Sequence, residues 1–359
     1  MERRTFMKNS ALTLAGASVL GGLSIDAANT EPKPTDAQKA WMDLKYGMFI
    51  HFGPNTVDGV GWGDGKFEVS EFNPGLHVEQ WAEVAQRAGM KYAVLTARHL
   101  DGFCLWPTNY TYYSVKNAPQ NTDIVKVFVE EFRKRGIKTG LYYSLWDRHL
   151  PYYNDDKKYA QYMREQVTEL LTNYGDIVEL WFDGGWDKDH PTKEWWYDEN
   201  WEKDPNSGLT LGTRYEWEEL YKTIKRIQPN CLVINNTSSD RPGAVKYLPL
   251  DVRTSEHFDF VFRGKVCKAI TNPIYQDKSG KSYYLALEYC TSLNPDWFQS
   301  NVEFYIHPSV DQIVGWYNRA RRDNANFLLN VGPNKQGFIP QIHIDYLYNA
   351  AKSLGIYSE

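Results

Sequence analysis

Residues Ile177–Trp186 read IVELWFDGGW, a run of β-forming residues that ends abruptly in a carboxylate and two glycines. The run is short and apolar, which is typical of a strand buried on both faces of a parallel sheet. Amphipathic helical periodicity lies on both sides of it, in Lys158–Asn173 and in Tyr215–Gln228. A buried strand between two such helices predicts an α/β chain, in which helices cover a parallel sheet.

The same alternation recurs along the whole chain. We count eight short β-rich runs, which is the number of strands that a (β/α)₈ barrel requires. The runs are Tyr46–Phe52, Tyr92–Thr96, Gly140–Ser144, Ile177–Phe182, Cys231–Ile234, Asp251–Ser255, Tyr283–Tyr289 and Phe327–Val331. Further helices are predicted at Val78–Ala88, Asp123–Arg135, Val310–Arg322 and Gln341–Ser353. Long loops are predicted at Trp186–Thr213 and Phe258–Ser282.

An open, doubly wound sheet is the alternative to a barrel. No glycine-rich phosphate loop follows the first strand, where the sequence reads HFGP. Polar residues recur just past the strand ends, and in a barrel those ends converge on one rim. These residues are His51, His99, Asp183, Asn235, Glu256 and Asn330. We therefore predict an α/β fold with a (β/α)₈ TIM-like barrel, complete or imperfect.

The N-terminus has the pattern of an export signal. Two adjacent arginines, Arg3 and Arg4, precede an apolar run at Ala11–Leu23, and small residues suited to cleavage follow. The run is shorter than the roughly 20 apolar residues that a membrane span needs. We predict a twin-arginine-like signal peptide at 1–28, with a buried N-terminal helix as the alternative, and one catalytic domain at 29–359. The protein would then be exported to the periplasm or the exterior.

Composition excludes several classes of partner and cofactor. The chain has 40 basic and 45 acidic residues, a net charge of −5, and therefore no basic footprint for nucleic acid or anionic lipid. Its four cysteines are widely spaced without a CxxC pair, and there is no HExxH motif, so neither a disulfide framework nor a zinc site is indicated. No cofactor is expected. Aromatic residues make up 15% of the chain, which suits stacking against sugar rings but is equally compatible with a large core.

Asp183 is the sharpest chemical signal. A carboxylate at a barrel rim, flanked by Trp181 and Trp186, matches what attack on an anomeric carbon requires. The alternative is an aspartate that caps the following loop. A second carboxylate must protonate the leaving oxygen, and the candidates are Glu256 at the end of the sixth strand and Glu288 inside the seventh. Their spacing from Asp183 does not decide between them.

The chain resembles the α-L-fucosidases of glycoside hydrolase family 29 over nearly all of its length after the signal segment. The matching segments are WMDLKYGMFIHFG from Trp41, WAEVAQRAGMKY from Trp81, LTARHLDGFCLWP from Leu95, GLYYS from Gly140, ELWFDGGW from Glu179 and NFLLNVGP from Asn326. The resemblance implies a retaining exo-hydrolase that releases α-L-fucose, or a related L-sugar, from an oligosaccharide or glycoconjugate. It assigns the nucleophile to Asp183 and the acid/base to Glu256.

Sugar-binding positions also carry over from the resemblance. They are His51, Trp62, His99, Tyr142 and Tyr143. To these we add Trp181, which flanks Asp183, and Glu288, for which a structural pairing or a bond to a sugar hydroxyl is predicted. The histidines could equally be satisfied structural groups.

Three positions depart from the family pattern. Gly61 stands where the family usually has Glu, Leu100 where it has a second His, and Asn236 within a segment often written Asn-Asp-Arg. Lost polar contacts could change the sugar accepted, so two alternatives stay open: a sugar-binding barrel without catalysis, and a hydrolase for a different glycan that uses the same carboxylates. The chain ends just after the last predicted barrel helix, so we expect no appended β-sandwich.

Overall fold

The computed structural model describes residues 31–184, 215–236, 242–262, 265–294, 296–299 and 307–359. The predicted signal peptide and the predicted loop at Trp186–Thr213 lie outside the described residues.

Eight parallel strands form a closed barrel, which confirms the predicted fold class. The strands follow one another around the barrel in chain order, and the last pairs with the first. They are β1 (Tyr46–Ile50), β2 (Tyr92–Arg98), β3 (Lys138–Ser144), β4 (Glu179–Asp183), β5 (Leu232–Asn236), β6 (Val252–Glu256), β7 (Ala286–Ser292) and β8 (Ala325–Asn330).

Helices surround the barrel and close its amino-terminal end. They are α1 (Asp36–Met42), α2 (Pro54–Asp58), α3 (Val78–Arg87), α4 (Ile124–Lys134), α5 (Asp156–Asn173), α6 (Trp217–Ile227), α7 (Val310–Arg322) and α8 (Gln341–Leu354). Local signals fix their ends: the Asp123 side chain caps α4, Ser309 forms a capping box with Gln312 at α7, and left-handed Gly355 ends α8. None of the described helices is long and apolar enough to cross a membrane.

The segment between β6 and β7 differs from the prediction. It was expected to be a long loop, but it contains two short antiparallel hairpins, Phe260–Phe262 with Lys265–Cys267 and Ile274–Gln276 with Ser282–Tyr284. The apolar run at Tyr283–Tyr289 was expected to be one strand, yet its first part belongs to a hairpin. A continuous apolar run does not reveal which neighbour each residue pairs with. No helix links β6 to β7 in the described chain, so the barrel is imperfect there.

Side chains of the barrel strands alternate between two cores. One set packs between the strands and the helices, and the other fills the barrel interior. At the amino-terminal end of the strands, α1 inserts Trp41 into the interior, where its indole N–H bonds the buried Glu179 carboxylate. The amino-terminal end is therefore plugged, and the opposite rim carries the site.

Candidate active site

Three polar residues from consecutive strands meet at the carboxyl-terminal rim. Asp183 is the last residue of β4, Asn236 ends β5 and Glu256 ends β6. Asp183 lies directly opposite Asn236 in the β4–β5 register. Each residue sits at an inward position because side chains alternate along a strand, so all three face the mouth of the barrel. The structure thus brings the two predicted catalytic carboxylates together.

Asp183 is surrounded by hydrogen-bond donors. The Tyr142 hydroxyl donates to Oδ2 at 2.8 Å, while Oδ1 accepts from the Asn236 amide at 3.1 Å and from the Gly184 backbone N–H at 2.9 Å. Burial and the nearby Glu256 carboxylate raise the pKa of Asp183 to about 7, and the three donors oppose that rise. The site therefore keeps two like-charged groups close together and places three donors around one of them.

Asn236 joins the two carboxylates. Its Nδ2 donates to Asp183 Oδ1 at 3.1 Å and to Glu256 Oε2 at 2.7 Å. Because both bonds share one nitrogen, the two oxygens lie within about 5.8 Å, the two bond lengths laid end to end. From the sequence, Asn236 was noted only as a departure from the family pattern. The signal that could have identified its role was its position at a strand end next to Asp183.

Glu256 is followed by a residue in a left-handed conformation. His257 has φ of 46°, which is uncommon for a residue with a side chain. Its backbone N–H donates to the Cys290 carbonyl at 2.8 Å, and its Nδ1 lies 3.3 Å from the Thr291 hydroxyl. Its Nε2 lies 3.9 Å from Glu256 Oε1. Sequence reasoning missed His257, which the structure places beside the second carboxylate.

His51 and His99 end β1 and β2 on the same rim. Burial lowers the pKa of His51 to about 3, and burial with the neighbouring His51 and Arg148 lowers the pKa of His99. Both imidazoles are therefore neutral at physiological pH. His51 Nδ1 contacts Asn330 Oδ1 at 2.8 Å, and because an amide oxygen only accepts, His51 carries its proton on Nδ1. Its Nε2 is then an acceptor suited to a hydroxyl group.

Aromatic rings line the space between these groups. Tyr142 stacks on Trp181 at 5.6 Å between ring centroids and on His99 at 5.5 Å. Trp297, from the loop after β7, lies 5.1 Å from the His51 ring and 4.9 Å from the His257 ring. Trp297 was not predicted, because nothing in its sequence neighbourhood follows a strand-end pattern. The rim thus combines polar groups with aromatic walls.

The loop after β1 carries Trp62, which is half-buried. The preceding Gly61 carbonyl accepts a hydrogen bond from Asn55 Nδ2 at 3.4 Å, and the same nitrogen lies 3.5 Å from His99 Nδ1. This connection puts the loop next to the histidine side of the pocket. Leu100, directly after His99, is almost fully buried.

Tyr143 does not join the pocket. It follows Tyr142 on β3, so its side chain points to the opposite side of the barrel wall. There its hydroxyl donates to Gln166 of α5 at 2.8 Å, and the Arg98 guanidinium lies 4.0 Å from its ring centroid. The predicted sugar contact at Tyr143 is therefore corrected, since neighbouring residues of one strand cannot both face the mouth of the barrel.

Glu288 lies inside the barrel, below the rim. In the β6–β7 register it pairs with Thr254, whereas Cys290 pairs with Glu256. Its carboxylate accepts from the Trp181 indole at 2.8 Å and from the Tyr92 hydroxyl at 3.1 Å, and it is fully buried. Burial raises its pKa to about 7. Two roles were predicted for Glu288, a structural pairing and a bond to a sugar hydroxyl. The bonds to Trp181 and Tyr92 are of the structural kind.

The described residues also bear on metal binding and thiol chemistry. No group of three or more His, Cys, Asp or Glu side chains in that part of the chain is arranged to hold a metal ion. Cys104, Cys231 and Cys290 are buried free thiols. The reactive groups that the described rim offers are thus the two carboxylates.

Comparisons with known proteins show which family the chain is similar to. The alpha-L-fucosidase family model matches residues 63–359. Alpha-L-fucosidase 1 of Arabidopsis thaliana is 33% identical over 325 residues, which cover 88% of this chain and 59% of that protein. A solved structure of a glycoside hydrolase 29 family member from an unknown rumen bacterium has a TM-score of 0.71 and 30% identity, over 90% of this chain and 57% of that one.

Another solved structure, alpha-L-fucosidase isoenzyme 1 from Paenibacillus thiaminolyticus, has a TM-score of 0.66 and 28% identity, over 89% of this chain and 78% of that one. The chain thus spans less than two thirds of the length of the Arabidopsis and rumen proteins. Because the family model covers most of the sequence, the chain belongs to the alpha-L-fucosidase family, glycoside hydrolase family 29.

Proposed function

We propose that the protein is a retaining exo-α-L-fucosidase in which Asp183 is the nucleophile and Glu256 is the acid/base. The observation that carries the proposal is the shared Asn236 amide, which keeps one oxygen of each carboxylate within about 5.8 Å of the other. Retaining glycosidases hold their two carboxyl groups about 5–5.5 Å apart, whereas inverting enzymes leave about 6.5–9.5 Å for a water molecule. The bridge favours the shorter, retaining separation.

The proposal gives the two carboxylates different roles. Asp183 receives three donors, which stabilise its anionic form, whereas the Asn236 amide is shared with Glu256. The proposed reaction requires Asp183 to be ionised for attack and Glu256 to carry the proton that passes to the leaving oxygen. Among the described residues, Asp183 Oδ1 accepts two bonds and Oδ2 accepts one, from the Tyr142 hydroxyl, so we assign the attack to Oδ2.

In the first step, Asp183 Oδ2 forms a bond to the anomeric carbon as the bond from that carbon to the leaving oxygen breaks. Glu256 transfers its proton to the departing oxygen. In the second step, Glu256 takes a proton from water, whose oxygen attacks the anomeric carbon and releases Asp183 as a carboxylate. Two displacements at one carbon return the original configuration. The neutral imidazoles of His51 and His99 orient sugar hydroxyls.

The test is the variant Asp183→Ala with sodium azide as an external nucleophile. We expect hydrolysis of an aryl α-L-fucoside to be lost while the melting temperature is kept, because Asp183 lies at the rim and not in the packed interior. Azide should restore turnover and yield a fucosyl azide of inverted configuration. Near wild-type hydrolysis by the folded variant would exclude Asp183 as the nucleophile.

The same assay separates the proposal from its alternatives. Wild-type protein should hydrolyse aryl α-L-fucoside faster than a panel of other aryl glycosides, and product NMR should show the α-anomer first. Preference for another glycoside would indicate a hydrolase for a different glycan. Fucose binding without turnover of any glycoside would indicate a sugar-binding barrel.

We also propose that the protein is exported with cleavage near residue 28. The support is the paired Arg3-Arg4 and the apolar run at Ala11–Leu23. N-terminal sequencing of the protein recovered from the periplasm or medium should begin close to residue 29. Retention in the cytoplasm with an intact Met1 would contradict export.

A further inference from the structure

The space that a side chain at position 61 would occupy is taken by another residue, Asp296. A Cβ atom built on Gly61 would lie 1.7 Å from Asp296 Oδ2 and 2.6 Å from Asp296 Cγ. No side chain fits there while Asp296 keeps its position. The loop after β7 thus places a carboxylate at the point where a side chain from the loop after β1 would begin.

Asp296 is held in this position by its own loop. Its Oδ1 accepts the Trp297 backbone N–H at 2.7 Å, and its carbonyl accepts the Ser292 hydroxyl at 3.2 Å. The residue is half-buried. Among the described residues, the hydrogen bond to this carboxylate is made at Oδ1. One oxygen is therefore fixed by the backbone, and the other lies against Gly61.

The surroundings of Asp296 connect it to both sides of the pocket. The adjacent Trp297 carbonyl accepts from Asn330 Nδ2 at 2.7 Å, and Asn330 Oδ1 holds His51. On the other side, Gly61 is linked through Asn55 to His99. Asp296 thus lies where the two histidine-bearing parts of the rim meet, beside the aromatic wall.

We propose that Asp296 is a sugar-binding residue whose carboxylate accepts hydrogen bonds from hydroxyl groups of the bound pyranose, and that Gly61 is required to admit it. The inference rests on the proposed function, because it concerns the sugar bound next to Asp183. Asp296 supplies from the loop after β7 an acidic group at the position where the family resemblance leads one to expect a glutamate. A carboxylate is suited to a vicinal diol because its two oxygens accept from neighbouring hydroxyls.

The experiment uses Asp296→Asn, which keeps the volume and the acceptor for the Trp297 N–H. We expect kcat/KM for aryl α-L-fucoside to fall by roughly 10- to 100-fold, the loss typical of a hydrogen bond to a charged group, with an unchanged melting temperature. Aryl fucosides that lack one ring hydroxyl locate the contact. For the analogue without the contacted hydroxyl, wild type and variant should have equal kcat/KM. Asp58→Asn, which changes an exposed carboxylate three residues before Gly61, is the control and should leave kcat/KM unchanged.

A second pair of variants tests the exchange of positions. Gly61→Glu alone should lower activity and melting temperature, because its Cβ overlaps Asp296. Gly61→Glu combined with Asp296→Gly should recover activity relative to Asp296→Gly alone, since a carboxylate then reaches the pocket from the other loop. If Asp296 had only a structural role, adding Gly61→Glu to Asp296→Gly would not restore activity.

The outcomes separate this inference from the proposed function. If wild type hydrolyses fucosides and Asp296→Asn keeps kcat/KM within twofold on every substrate, the inference is overturned and the proposed function stands. Calorimetric titration with L-fucose covers the case in which wild type has no turnover. Weaker L-fucose binding by Asp296→Asn then supports the inference although the proposed function has failed, and equal or absent binding in both proteins overturns it.

Discussion

The Asn236 bridge makes a quantitative prediction about pH. In Asn236→Ala, Asp183 loses one of the three donors that stabilise its anion. Losing a donor to the charged form raises the pKa of a carboxyl group. Because the nucleophile must be ionised, the acidic limb of kcat/KM against pH should move to higher pH.

The size of the shift follows from the contacts. A hydrogen bond to a charged group is worth about 1.5–3 kcal/mol, and the partial exposure of Asp183 at the rim favours the lower end. About 1.5 kcal/mol corresponds to roughly one pKa unit. From the value of about 7 in the intact site, the midpoint of the acidic limb should therefore rise to about 8. The height of the profile should also fall, because Glu256 loses the same donor.

The assay is hydrolysis of an aryl α-L-fucoside between pH 5 and 10, with the midpoint of the acidic limb as the readout. Asn235→Ala is a matched control, since Asn235 is the neighbouring residue of β5 on the opposite face, and its buried amide has no hydrogen-bond partner within the described part of the chain. The control should leave the midpoint unchanged. A midpoint in Asn236→Ala that stays at the wild-type value, or moves to lower pH, would refute the assignment of Asp183 as the ionised nucleophile.

Three further predictions concern the neighbours of the site. Glu256→Ala should lose far more kcat/KM on fucosides with poor leaving groups than on activated aryl fucosides, whereas Glu288→Gln should show no such dependence. The opposite pattern in a series of leaving groups would mean that Glu288 is the acid/base. Tyr143→Ala should lower the melting temperature, because Tyr143 loses its contacts with Arg98 and α5, while KM stays within about twofold. A large rise in KM would show that Tyr143 contacts the sugar after all. Asp147→Ala should cost about 3–5 kcal/mol of unfolding free energy in urea denaturation, because it leaves the fully buried Arg98 without its 3.2 Å carboxylate partner; a loss under 1 kcal/mol would contradict that account.

The alternation of short apolar runs with amphipathic helices was enough to predict the barrel. Each apolar run corresponds to a strand that both cores bury, and the capping residues Asp123 and Ser309 mark helix starts that the structure keeps. The hairpins before β7 could not be predicted in this way. Their pairing depends on which distant strand each backbone group meets, and that information is not local.

The same limit applies to the site. Asp183 could be singled out because an apolar strand that ends in a carboxylate is a local signal, whereas Glu256 was chosen over Glu288 through the family resemblance. The bridge through Asn236 depends on the register between β4, β5 and β6, and the side of the wall that Tyr143 faces depends on strand phase. Asp296 and Trp297 come from a loop whose path no periodicity describes. Strand-end chemistry was therefore accessible from the sequence, whereas contributions from loops were not.

Glu288, buried in the barrel interior, makes the stability of the fold depend on pH. Burial raises the pKa of Glu288 from 4.5 to about 7, and it raises the pKa of its neighbour Glu179 as well. A folded molecule at mildly acidic pH therefore holds a proton on Glu288 that the unfolded chain has released. Its contribution to stability is fully present below pH 4.5 and is lost as the pH rises to about 7, a change on the order of 3 kcal/mol. The ionised Asp183 that the proposed reaction needs becomes abundant only near and above pH 7, so stability and turnover depend on proton concentration in opposite directions.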